Sequence, residues 1–252
     1  MNLDISGAKI LFTLPIDLPI LGELRISETL VVSWIVMLLI TGVCMWLTHD
    51  LKVENISKRQ AAAEMLVEMA NKFVIGNMGE KFRYMIPFVA ALFATSLVSN
   101  LISLIGLRSP TSDLSVEAAW AVVVFVMITK EKIKAGGIGG YLKGFTQPIP
   151  VLTPFNVLSE LATPISMACR HFGNILSGVV ISGLIYGSLT LASSALFGLL
   201  PGVLGDVLSE IPFLAVGVPA VLSVYFDWFS GFMQAFIFCM LTTMYIANAA
   251  EG

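Results

Sequence analysis

Three stretches in the first half of the chain are almost free of charged residues and have the length of membrane-spanning helices. They cover residues 29–48, 84–107 and 116–130. A helix that crosses the hydrocarbon core of a bilayer needs about 20 mostly apolar residues. The third stretch is short, but its flanking residues can extend it. The pattern therefore predicts three spans in this half of the chain.

Two much longer apolar stretches follow, over residues 154–199 and 211–250. At a rise of 1.5 Å per residue, each would be a helix of about 60 Å, twice the hydrocarbon thickness. Such segments either lie strongly tilted or break into two spans apiece. Pro201-Gly202 ends the first of them, and no Pro-Gly turn interrupts it earlier. We therefore predict two long tilted helices in an antiparallel hairpin, within an all-α polytopic membrane protein of about five transmembrane helices.

Residues 57–78 show the pattern of an amphipathic helix. Ser57 and Gln60 fit an N-terminal capping box. Apolar side chains recur at helical spacing on one face and charged side chains occupy the other; the apolar set is Ala62, Met65, Leu66, Met69 and Phe73, and the charged set is Lys58, Glu64, Glu68 and Lys72. This pattern predicts a helix lying in the membrane interface. A helix packed against another subunit is the alternative.

Basic residues are divided unevenly between the two sides of the predicted membrane. Ten follow the first or the third span and three lie on the opposite side; the ten are Lys52, Lys58, Arg59, Lys72, Lys81, Arg83, Lys130, Lys132, Lys134 and Lys143, and the three are Lys9, Arg25 and Arg108. Cytoplasmic loops are rich in Lys and Arg. We therefore predict a cytoplasmic loop over 131–153, an exposed outer arm over 1–28 and, after five spans, a cytoplasmic C-terminus.

The composition fits a membrane protein and argues against several other classes. Apolar residues make up 57% of the chain and charged residues 12%, whereas soluble domains carry about 25% charged residues. The cysteines are scattered through apolar runs without paired spacing, which favours buried thiols over disulfides or a metal site. The glycines within 136–140 lack the GK[ST] that follows a phosphate loop. We predict no cofactor, no metal and no nucleic-acid partner.

Arg170 is the single charged residue between Thr163 and Gly205. A guanidinium at the bilayer centre costs about 2.5–3.5 kcal/mol on insertion scales. Such a charge persists where an acidic partner or a water-filled path compensates it. Asn174 is one helical turn further on and adds a hydrogen-bonding group to roughly the same face. This arrangement predicts a membrane protein that handles ions.

The last apolar stretch contains an acid and an amide on one helix face. Asp227 and Gln234 are seven residues apart, which is two helical turns. If the two long helices are antiparallel, Arg170 and Gln234 lie equally far from the outer turn and meet at one depth, with Asp227 nearer the outside. Together with Asp206 and Glu210, Asp227 would line an aqueous access path from outside.

Two further residues are candidates for the ion path, each with an ordinary structural alternative. Glu160 lies ten residues before Arg170, on the predicted cytoplasmic side, and would line a second access path. Its alternative is a solvated acid at the start of a helix. His171 follows Arg170 and points about 100° away around the helix. It is either a proton relay or a hydrogen-bonded packing residue.

Three motifs, in order, resemble subunit a of F-type ATP synthases. The string from Arg170 to Ile175, with Gly178, is similar to that family's Arg-Leu-Phe-Gly-Asn signature. The segments 87–111 and 234–246 resemble its third helix with the following loop and its C-terminal helix. The resemblance runs from about residue 30 to the end and implies a bacterial inner-membrane protein. Its implied partners are a rotating c-subunit ring, the b-subunit stalk and the rest of the synthase.

The resemblance also implies roles for the candidate residues. Arg170 would face the essential carboxylate of each c subunit, and Gln234 and Asn174 would flank that contact. Asp227 and Glu160 would belong to the outer and inner half-channels, with no nucleotide site in this chain. Two positions depart from the family pattern: His171 replaces the usual Leu, and Val179 stands where an acid is frequent.

Two other classes of protein fit the sequence less well. An autonomous secondary ion transporter often contains internal repeats and broken helices, and no repeat is visible here. A membrane scaffold or assembly factor would not need Arg170, Asp227 and Gln234 at converging depths.

Overall fold

A computed structural model of the chain describes residues 9–18, 22–197 and 224–251. Within these ranges it contains six α-helices, a β-hairpin and short 3₁₀ turns. The helices are α1 (Glu28–Thr48), α2 (Lys58–Met78), α3 (Ile86–Leu101), α4 (Leu114–Gly144), α5 (Thr153–Phe197) and α6 (Ser230–Glu251). The predicted all-α, polytopic membrane fold class is confirmed.

A β-hairpin, which the sequence reading did not predict, precedes the first helix. Strand β1 (Ile10–Leu18) pairs antiparallel with β2 (Gly22–Ser27). The pairing is irregular between Leu14 and Asp17, where Pro15 falls; proline is tolerated at such an irregularity because the position needs no ladder hydrogen bond. Ser27 then caps α1 by accepting a hydrogen bond from the Leu30 amide. Part of the predicted arm 1–28 is therefore ordered by backbone pairing.

Four helical segments of the described chain are long and apolar enough to cross a membrane. They are Glu28–Thr48, Glu80–Ile105, Pro150–Phe197 and Ser230–Glu251. Helix α4, which contains the predicted span 116–130, is not among them, because Glu117 at one end and Lys130 and Glu131 at the other limit its uncharged stretch to residues 118–129. The number of five spans thus rests on α4, whose apolar segment is shorter than a full crossing.

Helix α4 is considerably longer than predicted. It continues through most of the predicted loop 131–153 and ends at Gly144, with a kink at Gly137, whose φ of 69° is left-handed. Lys134 and Glu131 form an i,i+3 ion pair of 3.5 Å on this extension. Polar pairing along the helix and glycine at the kink let the helical path continue beyond the apolar residues.

Helix α5 is one long helix of 45 residues, with Pro164 inside it. The alternative of two separate spans is therefore excluded for this segment. Helix α6 follows a π-helical turn, Val224–Phe229. The predicted outer turn and the first part of the predicted helix 211–250 lie outside the described residues.

The core is built around α6, which packs on α2, α3, α4 and α5. Phe238 and Ile246 of α6 are almost fully buried, together with Val74, Val124 and Met167 of the neighbouring helices. By contrast, most of the apolar side chains along α1 and much of α5 are exposed. In a membrane protein such surfaces are available to lipid or to other subunits. Arg170 lies on α5, on the exposed side of this core.

Candidate functional site

Arg170 is exposed on the surface of α5. Among the described residues, no carboxylate or other acceptor lies within ion-pair or hydrogen-bonding distance of its guanidinium. A permanent cation on an apolar helix surface requires compensation in a membrane. The site is therefore open to an acidic group that the described part of the chain does not supply.

Two hydrogen bonds fix how α5 and α6 face each other. Asn174 donates from Nδ2 to Ser230 Oγ at 2.8 Å, and Ser230 Oγ donates to Asn174 Oδ1 at 3.1 Å. Glu160, before Asn174 in α5, and Asn248, after Ser230 in α6, line one cavity, so the two helices run antiparallel. One turn back along α5 from Asn174 is therefore opposite one turn forward along α6 from Ser230. Arg170 and Gln234 occupy these two positions, and Gln234 is buried. Arg170, Asn174 and Gln234 thus share one region of the helix pair.

His171 lies on a different face of α5, about 100° around the helix from Arg170, and is completely buried. Its Nδ1 is 3.0 Å from Oε2 of Glu117, a carboxylate of α4 that is equally buried. The contact is close but poorly aligned, so that neither Glu117 oxygen has a geometrically good hydrogen bond within the described chain. Sequence reasoning singled out His171 and missed Glu117, because an acid near the start of a predicted span resembles an ordinary interfacial charge.

Asn100 of α3 joins this buried pair to the rest of the helix bundle. Its Nδ2 donates to the Gly231 carbonyl at 2.8 Å and lies 3.5 Å from His171 Nε2. Thr111 donates to Asn100 Oδ1 at 2.7 Å, and Ser109 is 2.6 Å from the Thr111 hydroxyl. A continuous set of polar side chains therefore runs from the α3–α4 connection to His171.

A second polar cluster lies further along α4. Glu160 of α5 accepts hydrogen bonds from Lys132 Nζ at 2.6 and 2.7 Å, and the Tyr141 hydroxyl is 3.5 Å from the same carboxylate. Burial, and then the negative charge of Glu160, raise the pKa of the Tyr141 phenol above its ordinary value. Tyr141 therefore remains a neutral hydrogen-bond donor near neutral pH.

This cluster borders a cavity of about 640 Å³ between α4, α5 and α6. Lys132, Tyr141, Glu160 and Tyr245 are among its lining residues. A space of this size with charged and hydroxyl groups on its wall can hold several water molecules. It lies on the side of Arg170 that the distribution of basic residues predicts to be cytoplasmic.

The remaining candidates of the outer access path are less fully defined. Asp227 belongs to the π-helical turn before α6. Asp206 and Glu210 lie outside the described residues. Within the ranges that are described, no group of three His, Cys, Asp or Glu side chains is arranged to hold a metal ion.

Comparison with known proteins assigns the chain to a family. A sequence model of the family described as ATP synthase A chain matches residues 30–247. The chain belongs to the ATP synthase A chain family. Within the family it is 35% identical over 233 residues to the ATP synthase subunit a 1 of Chlorobaculum parvum, with 91% of each chain covered.

Two other members of the ATP synthase A chain family show how far the similarity extends. The ATP synthase subunit a of Moorella thermoacetica is 32% identical over 244 residues, which covers 94% of this chain and 97% of that protein. The protein of Propionigenium modestum named ATP synthase subunit a, sodium ion specific, is 28% identical over 276 residues, covering 97% of this chain and 86% of that protein. The similarity therefore extends along nearly the whole chain.

Proposed function

We propose that this chain is the stationary ion-translocating subunit of the membrane part of an F-type ATP synthase. Membership of the ATP synthase A chain family supports the assignment. The observation that carries the mechanism is Arg170, which is exposed on a long helix and has no acidic partner among the described residues. In this proposal the missing carboxylate belongs to a ring of c subunits that rotates past α5.

The guanidinium acts as a fixed positive charge at this contact. It stabilises the ionised form of each ring carboxylate that passes, because an opposite charge at close range favours the charged state. It also repels a cation moving directly from one side to the other. Asn174 and Gln234 flank the arginine within the helix pair. Ions are thus obliged to travel with the ring.

Loading and unloading of the ring take place through separate access paths. The cavity beside Glu160 and Lys132 is the inner path. The outer path contains Asp227, together with Asp206 and Glu210, and His171 belongs to the same ion route. One elementary charge crossing 100 mV releases about 2.3 kcal/mol. Rotation of the ring adds the free energy of several ion transfers, which together drive the synthesis of one ATP.

The same proposal places the subunit in its surroundings. It spans the inner membrane of a bacterium several times, with the N-terminus outside and the C-terminus in the cytoplasm, as the distribution of basic residues indicates. The c-subunit ring contacts the Arg170 surface of α5, and a b-subunit stalk holds the subunit stationary. The chain binds no nucleotide and acts as a membrane subunit of the complex.

Replacement of Arg170 by Ala in the assembled complex tests the proposal. ATP-driven ion pumping into inverted membrane vesicles should fall to background, while the amount of assembled complex stays the same. Arg83→Ala is the matched control, because Arg83 is also an exposed arginine but lies outside the helix pair. Normal coupled pumping by the Arg170→Ala complex would remove the proposed mechanism.

A further inference from the structure

Glu117 and His171 are two ionisable side chains placed together in the interior of the helix bundle. Both are 0% exposed, and the two atoms that meet, Nδ1 and Oε2, are 3.0 Å apart. Burial of a single charge without a partner is expensive, whereas a carboxylate beside an imidazole can share one proton at zero net charge. The pair is thus suited to hold one proton.

Side chains from three helices surround the pair, and those in contact with it are not ionisable. Helix α3 contributes Asn100, helix α4 contributes Trp120 with a ring centroid 6.3 Å from that of His171, and helix α6 contributes Phe238 at 5.6 Å. None of these side chains titrates near neutral pH. The proton content of the site therefore depends on Glu117 and His171 themselves, with the Arg170 charge adjacent along α5.

Asn100 influences which of the two imidazole nitrogens of His171 carries the proton. The Gly231 carbonyl can only accept, and the Thr111 hydroxyl donates to the Asn100 oxygen, so that the Asn100 NH₂ group is directed towards both Gly231 and His171 Nε2. An amide NH₂ can only donate. It therefore favours an unprotonated Nε2, so that the neutral imidazole carries its own proton on Nδ1, facing Glu117. The exchangeable proton of the uncharged pair is then on the Glu117 carboxyl.

The position of the pair links the predicted outer surface to Arg170. Glu117 is one helical turn from Asp113, the N-cap of α4, and Asp113 accepts a 2.9 Å hydrogen bond from Thr29 at the start of α1. On the other side, His171 directly follows Arg170 in α5. The pair thus lies between the outer end of the bundle and the arginine.

We infer that Glu117 and His171 form a proton-binding station in the outer half of the ion path, an inference that rests on the proposed function. In each cycle the pair gives its shared proton towards a ring carboxylate and takes one proton from the outer side. Between these steps Glu117 is an anion and His171 is neutral, with the positive charge of Arg170 one residue away from His171 along α5. Each transfer breaks one O–H bond on the donor and forms one on the acceptor, with no change of oxidation state. The ion at this station is H⁺.

The competing explanation is a static contact that holds α4 against α5. A static contact requires only size and hydrogen bonding, which glutamine provides at both positions. A proton station requires groups that titrate, and glutamine does not. The double variant Glu117→Gln with His171→Gln therefore separates the two explanations, and the exchange variant Glu117→His with His171→Glu restores titration in the reversed order.

The experiment measures ATP-driven acidification of inverted vesicles in sodium-free medium across a range of pH, normalised to the amount of assembled complex. The double Gln variant should pump about 100-fold more slowly, the lower end of the contribution of a positioned acid–base group. Its pumping rate should also lose the pH dependence that titration of Glu117 and His171 causes. The exchange variant should recover most of the rate. Glu68→Gln and His49→Gln are matched controls, because they remove the same groups from exposed positions.

Three outcomes overturn the inference. Normal pumping with an unchanged pH profile in the double Gln variant shows a static contact, and so does failure of both the double and the exchange variants to assemble. A requirement for Na⁺ in pumping by the wild-type complex would show that the transported ion is not H⁺. In each case Arg170→Ala still reports separately on the proposed function, because its effect does not depend on Glu117.

Discussion

Helices α4 and α5 are joined by two ion-pair contacts that differ in almost every physical respect. Glu117 and His171 are 0% exposed and contact one another at 3.0 Å without a well-aligned hydrogen bond. Lys132 and Glu160 retain 33% and 17% of their side-chain exposure and contact one another at 2.6 Å. The first contact is enclosed by aromatic side chains, and the second borders a cavity of about 640 Å³.

The two contacts also lie at different distances from the arginine. His171 is adjacent to Arg170, whereas Glu160 is ten residues away, or about 15 Å along α5. Where water reaches a charge, an ion pair contributes little, because solvent replaces either partner. Where water is excluded, the same groups control whether a proton is present. The enclosed contact is therefore the one at which a single proton has large consequences.

The largest effect expected from this comparison concerns how tightly each region is packed. A Cβ atom at Gly231 would lie 3.1 Å from Asn100 Cβ, whereas one at Gly140, which lines the cavity, would have nothing within 4 Å. Gly231→Ala should therefore destabilise the subunit by about 1–3 kcal/mol, as overpacking of a close-packed interior does. Gly140→Ala should be neutral or slightly stabilising, because alanine favours helix.

Thermal unfolding of the purified complex in detergent measures both substitutions. Equal midpoints for Gly231→Ala and the wild type would mean that Asn100 can move away, and that the region around His171 is less rigid than its contacts indicate. A large loss from Gly140→Ala would contradict an open cavity.

Helix boundaries that depend on local signals were well predicted from sequence. The predicted ranges 29–48 and 57–78 differ by a single residue at their starts from α1 and α2. The reason is local, because Ser57 caps α2 by accepting a hydrogen bond from the Gln60 amide. The level of Arg170 relative to Gln234 follows from counting residues, and the Asn174–Ser230 contact has the same register.

Features that depend on packing were not predictable in the same way. The glycines within 136–140 suggested a loop, yet α4 continues through them with a kink at Gly137. Glu117 has no local feature that points to His171, since the contact depends on where α4 crosses α5. Sequence spacing describes one helix at a time and contains no information on that crossing.

A smaller effect is expected at the open contact. Glu160→Gln should slow ATP-driven pumping by about 2- to 5-fold, which corresponds to the weak energies of solvent-accessible ion pairs. Water in the cavity can replace the lost carboxylate in contact with Lys132. The loss should depend on the pH of the cytoplasmic side and be insensitive to the pH of the outer side.

The measurement is the initial rate of acidification in inverted vesicles, whose cytoplasmic face is outward, at several external pH values. Thr95→Val is a suitable control, because Thr95 is a half-buried residue that bonds only its own helix. A loss as severe as that of the double variant at Glu117 and His171 would contradict the difference between open and enclosed contacts.

The smallest effect is expected at a fully exposed pair, Glu68 and Lys72 on α2, which are 2.7 Å apart. The hydrogen bond from Lys72, and then its positive charge, hold the pKa of Glu68 below its ordinary value. The contribution of this contact is therefore present above the ordinary pKa of the carboxyl and is lost as pH falls through the lowered one. Lys72→Gln should raise the pKa of Glu68 towards its ordinary value and leave pumping unchanged.

Infrared difference spectra of the complex, with Glu68→Gln as the reference, follow the Glu68 carboxylate through the titration. A change in the pumping rate of the Lys72→Gln complex would show that α2 takes part in ion movement.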